Sequence, residues 1–197
     1  MQPRLSHCRP ELTSHAAEWE NEHVAIALLT REASCKDEAR VGQIGRTGRV
    51  WYDRGVRPRG LRDMRHDAAW IFGAICPERD TGVALVLPEA TVPAMQALID
   101  ELAGQLPADR HAVLVMDRAG WHIAAKLNWP ETITPLHLPS YSPELNPIER
   151  VWLYLRERFL SHRLFDTVDA IVDACCDAWN DLLAEPGRVA SLGHYGY

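Results

Sequence analysis

The chain has 197 residues, 47% of them hydrophobic and 24% charged, a balance typical of one globular domain and not of a disordered chain. No apolar run approaches the roughly 18 residues of a membrane span, and the polar first residues contain no secretory signal, so we expect a cytoplasmic protein with no membrane partner. The net charge of −6, taken alone, argues against a nucleic-acid partner.

The first third of the chain gives weak structural signals apart from its charge. The apolar run at 23–29 fits a strand or a helix, whereas the run at 31–36 is polar and is poor strand material. The arginine segment follows at residues 40–65, where eight arginines and two aspartates give +6 and leave −12 for the rest of the chain. Its glycines predict loop and hairpin structure.

The core signal begins at residue 68. Two apolar, β-favouring runs, 68–77 and 81–89, flank a short polar turn and predict a hairpin. Apolar residues at helical spacing then predict a helix over 92–106. The compact apolar run at 111–117 predicts a buried strand that ends in an acid, Asp117.

The last third is expected to alternate between helix and strand. A short helix over 122–127 and a strand over 133–138 come first, and a proline-rich loop then leads into a helix from Pro147 to about residue 160. An amphipathic helix covers 168–183. Hairpin-connected strands, followed by strands joined through crossovers, indicate an α/β fold with a mixed sheet flanked by helices.

Three acids stand where a phosphoryl-transfer site could form. Asp37 follows the polar strand candidate, Asp117 closes the most apolar strand, and Glu149 lies in the first turn of the helix that starts at Pro147. Converging carboxylates suit hard cations such as Mg²⁺ or Mn²⁺. Two such ions can activate an attacking oxygen and stabilise a leaving oxygen on phosphorus. Without a cation the carboxylates would repel one another.

Position alone leaves a structural explanation open for each acid. Asp117 could end its strand and begin a turn, and Asp37 could lie on a solvated surface. Asn146, Pro147 and Glu149 nearly form a capping box, in which Asn146 would cap the helix.

Three stretches resemble the catalytic domain of bacterial insertion-sequence transposases in the mariner superfamily: KDEARVGQIGRTGRVW at 36–51, VLVMDRAGWH at 113–122 and LPSYSPELNPIERVWLYLRERF at 138–159. The part at 140–152 is the most specific, and the resemblance covers about residues 36–185. It implies a ribonuclease-H-like DDE catalytic domain at 36–190, preceded by a divergent or poorly ordered segment at 1–35.

The resemblance implies that Asp37, Asp117 and Glu149 are the catalytic carboxylates and hold two Mg²⁺ or Mn²⁺ ions, with Glu38 and Glu144 as mere neighbours. The implied reactions are phosphodiester hydrolysis at transposon ends and attack of the freed 3′-OH on target DNA. Arginines that could contact DNA phosphates are Arg46, Arg49, Arg54, Arg57 and Arg59. A solvated charged hairpin is the alternative for them.

The aromatic neighbours of these acids remain open. Trp121 and His122 could approach substrate or simply pack, whereas Tyr141 and Trp152 are expected to pack. The family's first aspartate usually ends an apolar strand, so the polar lead-in at 31–36 predicts that Asp37 is badly held.

Partners follow from what the resemblance implies and from what this sequence lacks. Relatives carry helix-turn-helix modules before the catalytic domain, and nothing at 1–35 matches one. We therefore expect a separate end-binding module, and a homodimer in the working complex because two transposon ends must be held. A non-catalytic transposase remnant, which binds DNA or a transposase subunit without cutting, is the alternative function. Another phosphoryl-transfer enzyme that uses the same acids is a weaker one.

Overall fold

The computed structural model describes residues 31–44, 53–55 and 64–194. Within these ranges the strands are β1 (Arg31–Gly42), β2 (Ala68–Cys76), β3 (Thr81–Leu87), β4 (His111–Met116) and β5 (Ile133–His137). The helices are α1 (Val92–Gln105), α2 (Ile148–Leu155), α3 (Val168–Leu183) and α4 (Arg188–Gly193), and a π-helical turn, Arg156–Leu160, extends α2.

The five strands form one mixed sheet in the order β3-β2-β1-β4-β5. β2 pairs antiparallel with both β1 and β3, as hairpin-connected strands do. β4 pairs parallel with both β1 and β5. Parallel neighbours need crossover connections that return the chain to the end of the sheet at which the strands begin. The predicted α/β fold, a mixed sheet flanked by helices, is therefore confirmed.

Helices cover both faces of this sheet. α1 packs on one face over a buried apolar layer that includes Phe72 and Leu114. α2, α3 and α4 pack on the other face, where Trp152 and Trp179 are buried. Gly73 permits this close approach, since a Cβ at that position would lie 2.6 Å from the Trp152 ring and 3.1 Å from the Trp179 ring. Of the helices in the described part of the chain, none is long and apolar enough to cross a membrane.

Local sequence explains why several predicted elements are confirmed. Thr91 and Thr167 cap α1 and α3, because each side-chain oxygen accepts a hydrogen bond from the backbone N–H three residues later. Asp80 adopts a left-handed φ of 53° and closes the turn between β2 and β3. The hairpin, both of these helices and the helix that reaches Leu160 agree with the sequence predictions.

The short helix predicted over 122–127 is wrong. This stretch forms turns, in which the Ala119 carbonyl accepts from the backbone N–H of both His122 and Ile123. The turn begins at Asp117, whose side-chain oxygen accepts from the Ala119 N–H at 3.0 Å. An aspartate side chain that takes the first amide after a strand favours a turn over a helix.

The interpretation of 31–36 as poor strand material is also wrong, since these residues form the first half of the central strand. Their polar side chains are buried with partners. Glu32 lies 3.1 Å from Arg79 and 3.6 Å from Arg110, and the ammonium group of Lys36 contacts Glu38. The domain start expected at residue 36 thus falls inside β1, while the apolar run at 23–29 lies outside the described residues.

Candidate active site

The central strand places Asp37 and Glu38 on opposite faces of the sheet. Successive side chains of a strand point to opposite faces. Cys35, Ala39 and Val41 pack in the apolar layer beneath α2 and α3, so Asp37 shares their face. Glu38 lies on the other face, where its carboxylate contacts the imidazole of His122, which follows β4. Neighbours in sequence therefore enter two different environments.

The register of the sheet brings Asp117 beside Asp37. The parallel pairing of β1 with β4 ends with Cys35 opposite Val115, and Asp37 and Asp117 each stand two residues later. Adjacent strands lie about 4.8 Å apart. The two aspartates therefore stand at the same level in neighbouring strands. The Asp117 side chain is 55% exposed, so it is open to a ligand from solvent.

The start of α2, which carries Glu149, lies beside the middle of β1, next to Asp37. Glu149 lies in the first turn and is exposed. The capping box suggested by the sequence is not formed, since Pro147 occupies the cap position and no side chain caps the helix. Asn146 instead donates from Nδ2 to the Lys36 carbonyl oxygen at 3.1 Å, in a fully buried position. The residue before Pro147 thus ties the start of α2 to the backbone next to Asp37.

Electrostatics couple Asp37 to Glu149. The pKa of the Asp37 carboxyl is raised to about 7, first by burial and then by the negative charges of Glu149 and Glu38, against the opposing effects of a backbone hydrogen bond and of Lys36. A carboxyl whose pKa is raised by a neighbouring negative charge would be stabilised by a cationic partner. A divalent cation would supply that partner, and carboxylate oxygens are the ligands that Mg²⁺ and Mn²⁺ prefer.

A buried network occupies the opposite face of β1. The side chains of Lys36 and His122 are fully buried, and that of Glu38 is only 4% exposed. Glu38 Oε1 accepts from Trp121 Nε1 at 3.2 Å and lies 2.8 Å from His122 Nε2, while the Lys36 ammonium contacts both Glu38 and His122. Burial alone would raise the pKa of Glu38, but the hydrogen bond from His122 and the charge of Lys36 lower it.

His122 connects this network to Asp117. Its Nδ1 lies 2.6 Å from Asp117 Oδ1, the same oxygen that accepts from the Ala119 N–H. The sequence interpretation set Glu38 aside and left Trp121 and His122 undecided. Side-chain alternation along a strand at 31–42 would have separated Glu38 from Asp37, but the strand itself was not predicted.

The three predicted acids do not form a compact cluster. In the ranges that the structure describes, no three His, Cys, Asp or Glu side chains are grouped closely enough to hold a metal ion. Asp37 and Glu149 interact electrostatically, whereas Asp117 Oδ1 is engaged by His122. The donor chemistry fits a hard cation, and the backbone brings Asp37, Asp117 and the start of α2 near the level at which β4 ends.

Most of the other predicted site residues lie outside the residues that the structure describes. Arg46, Arg49, Arg57 and Arg59 lie outside the described residues, and Arg54 is exposed in the short described stretch 53–55. Glu144 is exposed in the loop before α2, apart from the helical turn that carries Glu149.

The aromatic side chains near this loop divide into two kinds. Trp152 is buried, which confirms the packing expected of it. Tyr141 is fully exposed at a left-handed φ of 60°, so the expectation that it packs is wrong. Its local sequence, between a serine and the Ser-Pro that opens a 3-10 turn, favours a loop tip on the surface.

Comparison with known proteins agrees with this fold. The family described as DDE superfamily endonuclease matches residues 32–172. A protein of Sinorhizobium fredii, named "Uncharacterized protein y4pE/y4sA", is 46% identical over 125 residues, which are 64% of this chain and 93% of the relative.

Solved structures of the Mos1 transposase share the fold, a ribonuclease-H-like mixed sheet. The paired-end complex with the left transposon end has a TM-score of 0.61 at 17% identity, over 85% of this chain and 52% of that chain. The paired-end complex with Mn has a TM-score of 0.56 at 16% identity, over 84% and 57%. The corresponding complex with Mg has a TM-score of 0.54 at 17% identity, over 82% and 51%. The present chain thus spans about half the length of these transposases.

Proposed function

The chain belongs to the DDE superfamily endonuclease family, and we propose that it is the catalytic domain of a DNA transposase of the bacterial insertion-sequence type in the mariner superfamily. Its proposed reactions are metal-dependent hydrolysis of a phosphodiester at transposon ends and transfer of the 3′-OH strand into target DNA. The observation that carries the proposal is the register that sets Asp37 and Asp117 at the same level of β1 and β4, with the start of the helix that carries Glu149 bonded to the backbone beside Asp37.

Asp37, Asp117 and Glu149 are the proposed ligands of two Mg²⁺ or Mn²⁺ ions. Two of the Mos1 complexes are named with Mn and with Mg, which supports a cation of this class. When bound, such ions would activate the attacking oxygen and stabilise the leaving oxygen at phosphorus. The chain's own contribution is to bring the three carboxylates near the level at which β4 ends. Asn146 fixes the start of α2 to β1, and His122 fixes the Asp117 carboxylate.

DNA is the proposed partner, both as transposon ends and as target. The Mos1 structures include a complex with a transposon end and a strand transfer complex, which supports this class of substrate. The arginine segment, with the exposed Arg54, would contact phosphates without reading sequence. A homodimer and a separate helix-turn-helix module for end binding complete the proposal, with action on chromosomal or plasmid DNA in a bacterial cytoplasm. The proposed catalytic domain is 36–190, extended to the start of β1 at Arg31.

The test is nicking of a supercoiled plasmid that carries the DNA flanking this gene, with Mn²⁺ or Mg²⁺, the purified chain and a helix-turn-helix end-binding module. We expect nicking that needs the cation and that Asp117→Asn and Glu149→Gln each abolish. Glu144→Gln is the matched control, because Glu144 is an exposed acid in the neighbouring loop, and it should nick like the unmodified chain. Equal nicking by all three variants would overturn the site assignment.

The non-catalytic remnant is a second candidate, and one observation favours it. The Asp117 carboxylate faces His122, and the described residues hold no three-acid cluster. A remnant would bind the same DNA, in a gel-shift assay, with equal affinity in the presence of Mn²⁺ or EDTA, and would give no nicks with either cation.

A further inference from the structure

We infer that Glu38 and His122 are positioning residues for the proposed cation site, and that they hold Asp117 so that its Oδ2 is the oxygen presented to the cation. The inference rests on the proposed function. Neither side chain is a catalytic residue in the strict sense, because His122 is fully buried and Glu38 is only 4% exposed, so neither can touch DNA.

The first argument comes from the two oxygens of Asp117. Oδ1 accepts from the Ala119 N–H at 3.0 Å and lies 2.6 Å from His122 Nδ1. Asp117 Oδ2 takes part in neither the contact with Ala119 nor the contact with His122. Because Oδ1 is held in this way, Oδ2 is the oxygen that can bind a cation. The side chain is 55% exposed, so a cation can reach it from solvent.

The second argument is that His122 is itself fixed. Its backbone N–H donates to the Ala119 carbonyl at 2.8 Å, and its Nε2 lies 2.8 Å from Glu38 Oε1. Glu38 Oε1 is further held by the Trp121 indole N–H at 3.2 Å and by the ammonium group of Lys36. The Asp117 carboxylate is therefore held by a fixed imidazole, which is itself held by the fixed Glu38 carboxylate. It has little freedom to rotate, so it loses little orientational freedom when it binds a cation.

The third argument is that the network joins the two aspartates through the backbone. Lys36 and Glu38 flank Asp37 on β1, and His122 follows the turn that begins at Asp117. Any movement of β1 against that turn would break the contacts of Glu38. The network therefore fixes the level of Asp37 relative to Asp117 from the opposite face of the sheet.

The test uses two His122 variants that each keep one half of the contact. In His122→Asn the amide lies near the position of Nδ1 and can still reach Asp117, whereas in His122→Gln it lies near the position of Nε2 and can still reach Glu38. We measure Mn²⁺ binding to the chain without DNA by electron paramagnetic resonance, together with the Mn²⁺ concentration that gives half-maximal nicking. Outer-shell partners of metal ligands typically change affinity by about 10- to 100-fold, so we expect His122→Gln to weaken Mn²⁺ binding at least 10-fold and His122→Asn to weaken it less.

Glu32→Gln is the matched control. Glu32 is buried on the same face of β1 and pairs with Arg79 and Arg110, at the end of the strand away from the acids. This variant should lower the melting temperature and leave Mn²⁺ affinity unchanged, which separates a loss of stability from a loss of positioning.

The outcomes separate the two proposals. If the unmodified chain binds no Mn²⁺ and does not nick, the proposed function fails and this inference fails with it. If the unmodified chain binds Mn²⁺ and nicks, and His122→Gln binds Mn²⁺ as well as it does, only the positioning role is overturned. The positioning role is also overturned if Glu32→Gln weakens Mn²⁺ binding as much as His122→Gln, because the effect would then be one of strand stability.

Discussion

Asp37 and Glu38 are adjacent acids on one strand, and their pKa values move in opposite directions. The pKa of Asp37 is raised to about 7, mainly by burial and also by the charge of Glu149. Burial acts in the same sense on Glu38, but His122 and Lys36 outweigh it and lower the pKa. A carboxylate with several cationic and hydrogen-bonding partners is held in its charged form, while one whose charge is disfavoured by burial and by a neighbouring acid is a place for a cation.

The largest expected effect comes from removing each carboxylate in turn, which tests whether Glu38 has stabilising partners that Asp37 lacks. Glu38→Ala leaves Lys36 buried without its ion-pair partner, and removal of one partner of a buried pair typically costs about 3–5 kcal/mol. Asp37→Ala removes a carboxylate whose charge is disfavoured at its site, so at pH 8 we expect it to cost far less or to stabilise the protein. Urea unfolding in EDTA at pH 8 measures both changes. Equal losses of unfolding free energy would show that partners do not distinguish the two acids.

The sequence predicts a strand or helix well when the signals that form it are local, and poorly when its side chains need partners far along the chain. The hairpin β2–β3 and the helices α1 and α3 follow from apolar spacing and threonine caps, which are local signals. β1 does not, because its polar side chains become suitable for a central strand only through partners far along the chain. Arg79 and Arg110, which pair with Glu32, stand 47 and 78 residues away from it.

The candidate site shows the same division. Short motifs predict Asp37, Asp117 and Glu149, and the register of β1 with β4 supports the proximity of the two aspartates. The sequence predicts Asn146 as a helix cap, because a cap and a long-range donor have the same local sequence. Only the folded chain distinguishes them, through the bond from Asn146 to the Lys36 carbonyl 110 residues away.

The opposite pKa shifts also predict how stability depends on pH. With a folded pKa of about 7 and an unfolded value near 3.9, Asp37 binds more protons in the folded state than in the unfolded state between these values. Stability should therefore rise as the pH falls from 8 to 5, by on the order of 2 kcal/mol from this group, since one pKa unit corresponds to about 1.4 kcal/mol.

Thermal unfolding in EDTA across this pH range, with Asp37→Asn as the control, isolates the contribution. The difference between the two proteins should shrink as the pH falls, because protonated aspartic acid and asparagine are both neutral. Saturating Mg²⁺ should stabilise the unmodified chain most at pH 8, where the carboxylate is ionised. A difference that stays constant from pH 8 to pH 5 would contradict the shifted pKa.

The smallest expected effect concerns the hydrogen bond that joins the start of α2 to β1 beside Asp37. Asn146→Ala removes one buried hydrogen bond, to the Lys36 carbonyl, and Thr167→Ala removes one hydrogen bond at the start of α3. Each loss should cost about 1 kcal/mol in urea unfolding. Only Asn146→Ala frees the helix that carries Glu149 from the strand that carries Asp37, so it alone should raise the Mn²⁺ concentration needed for half-maximal nicking. An equal Mn²⁺ requirement in both variants would mean that the bond stabilises the fold without setting the distance between the two acids, and that the packing of Trp152 on the sheet is sufficient to position Glu149.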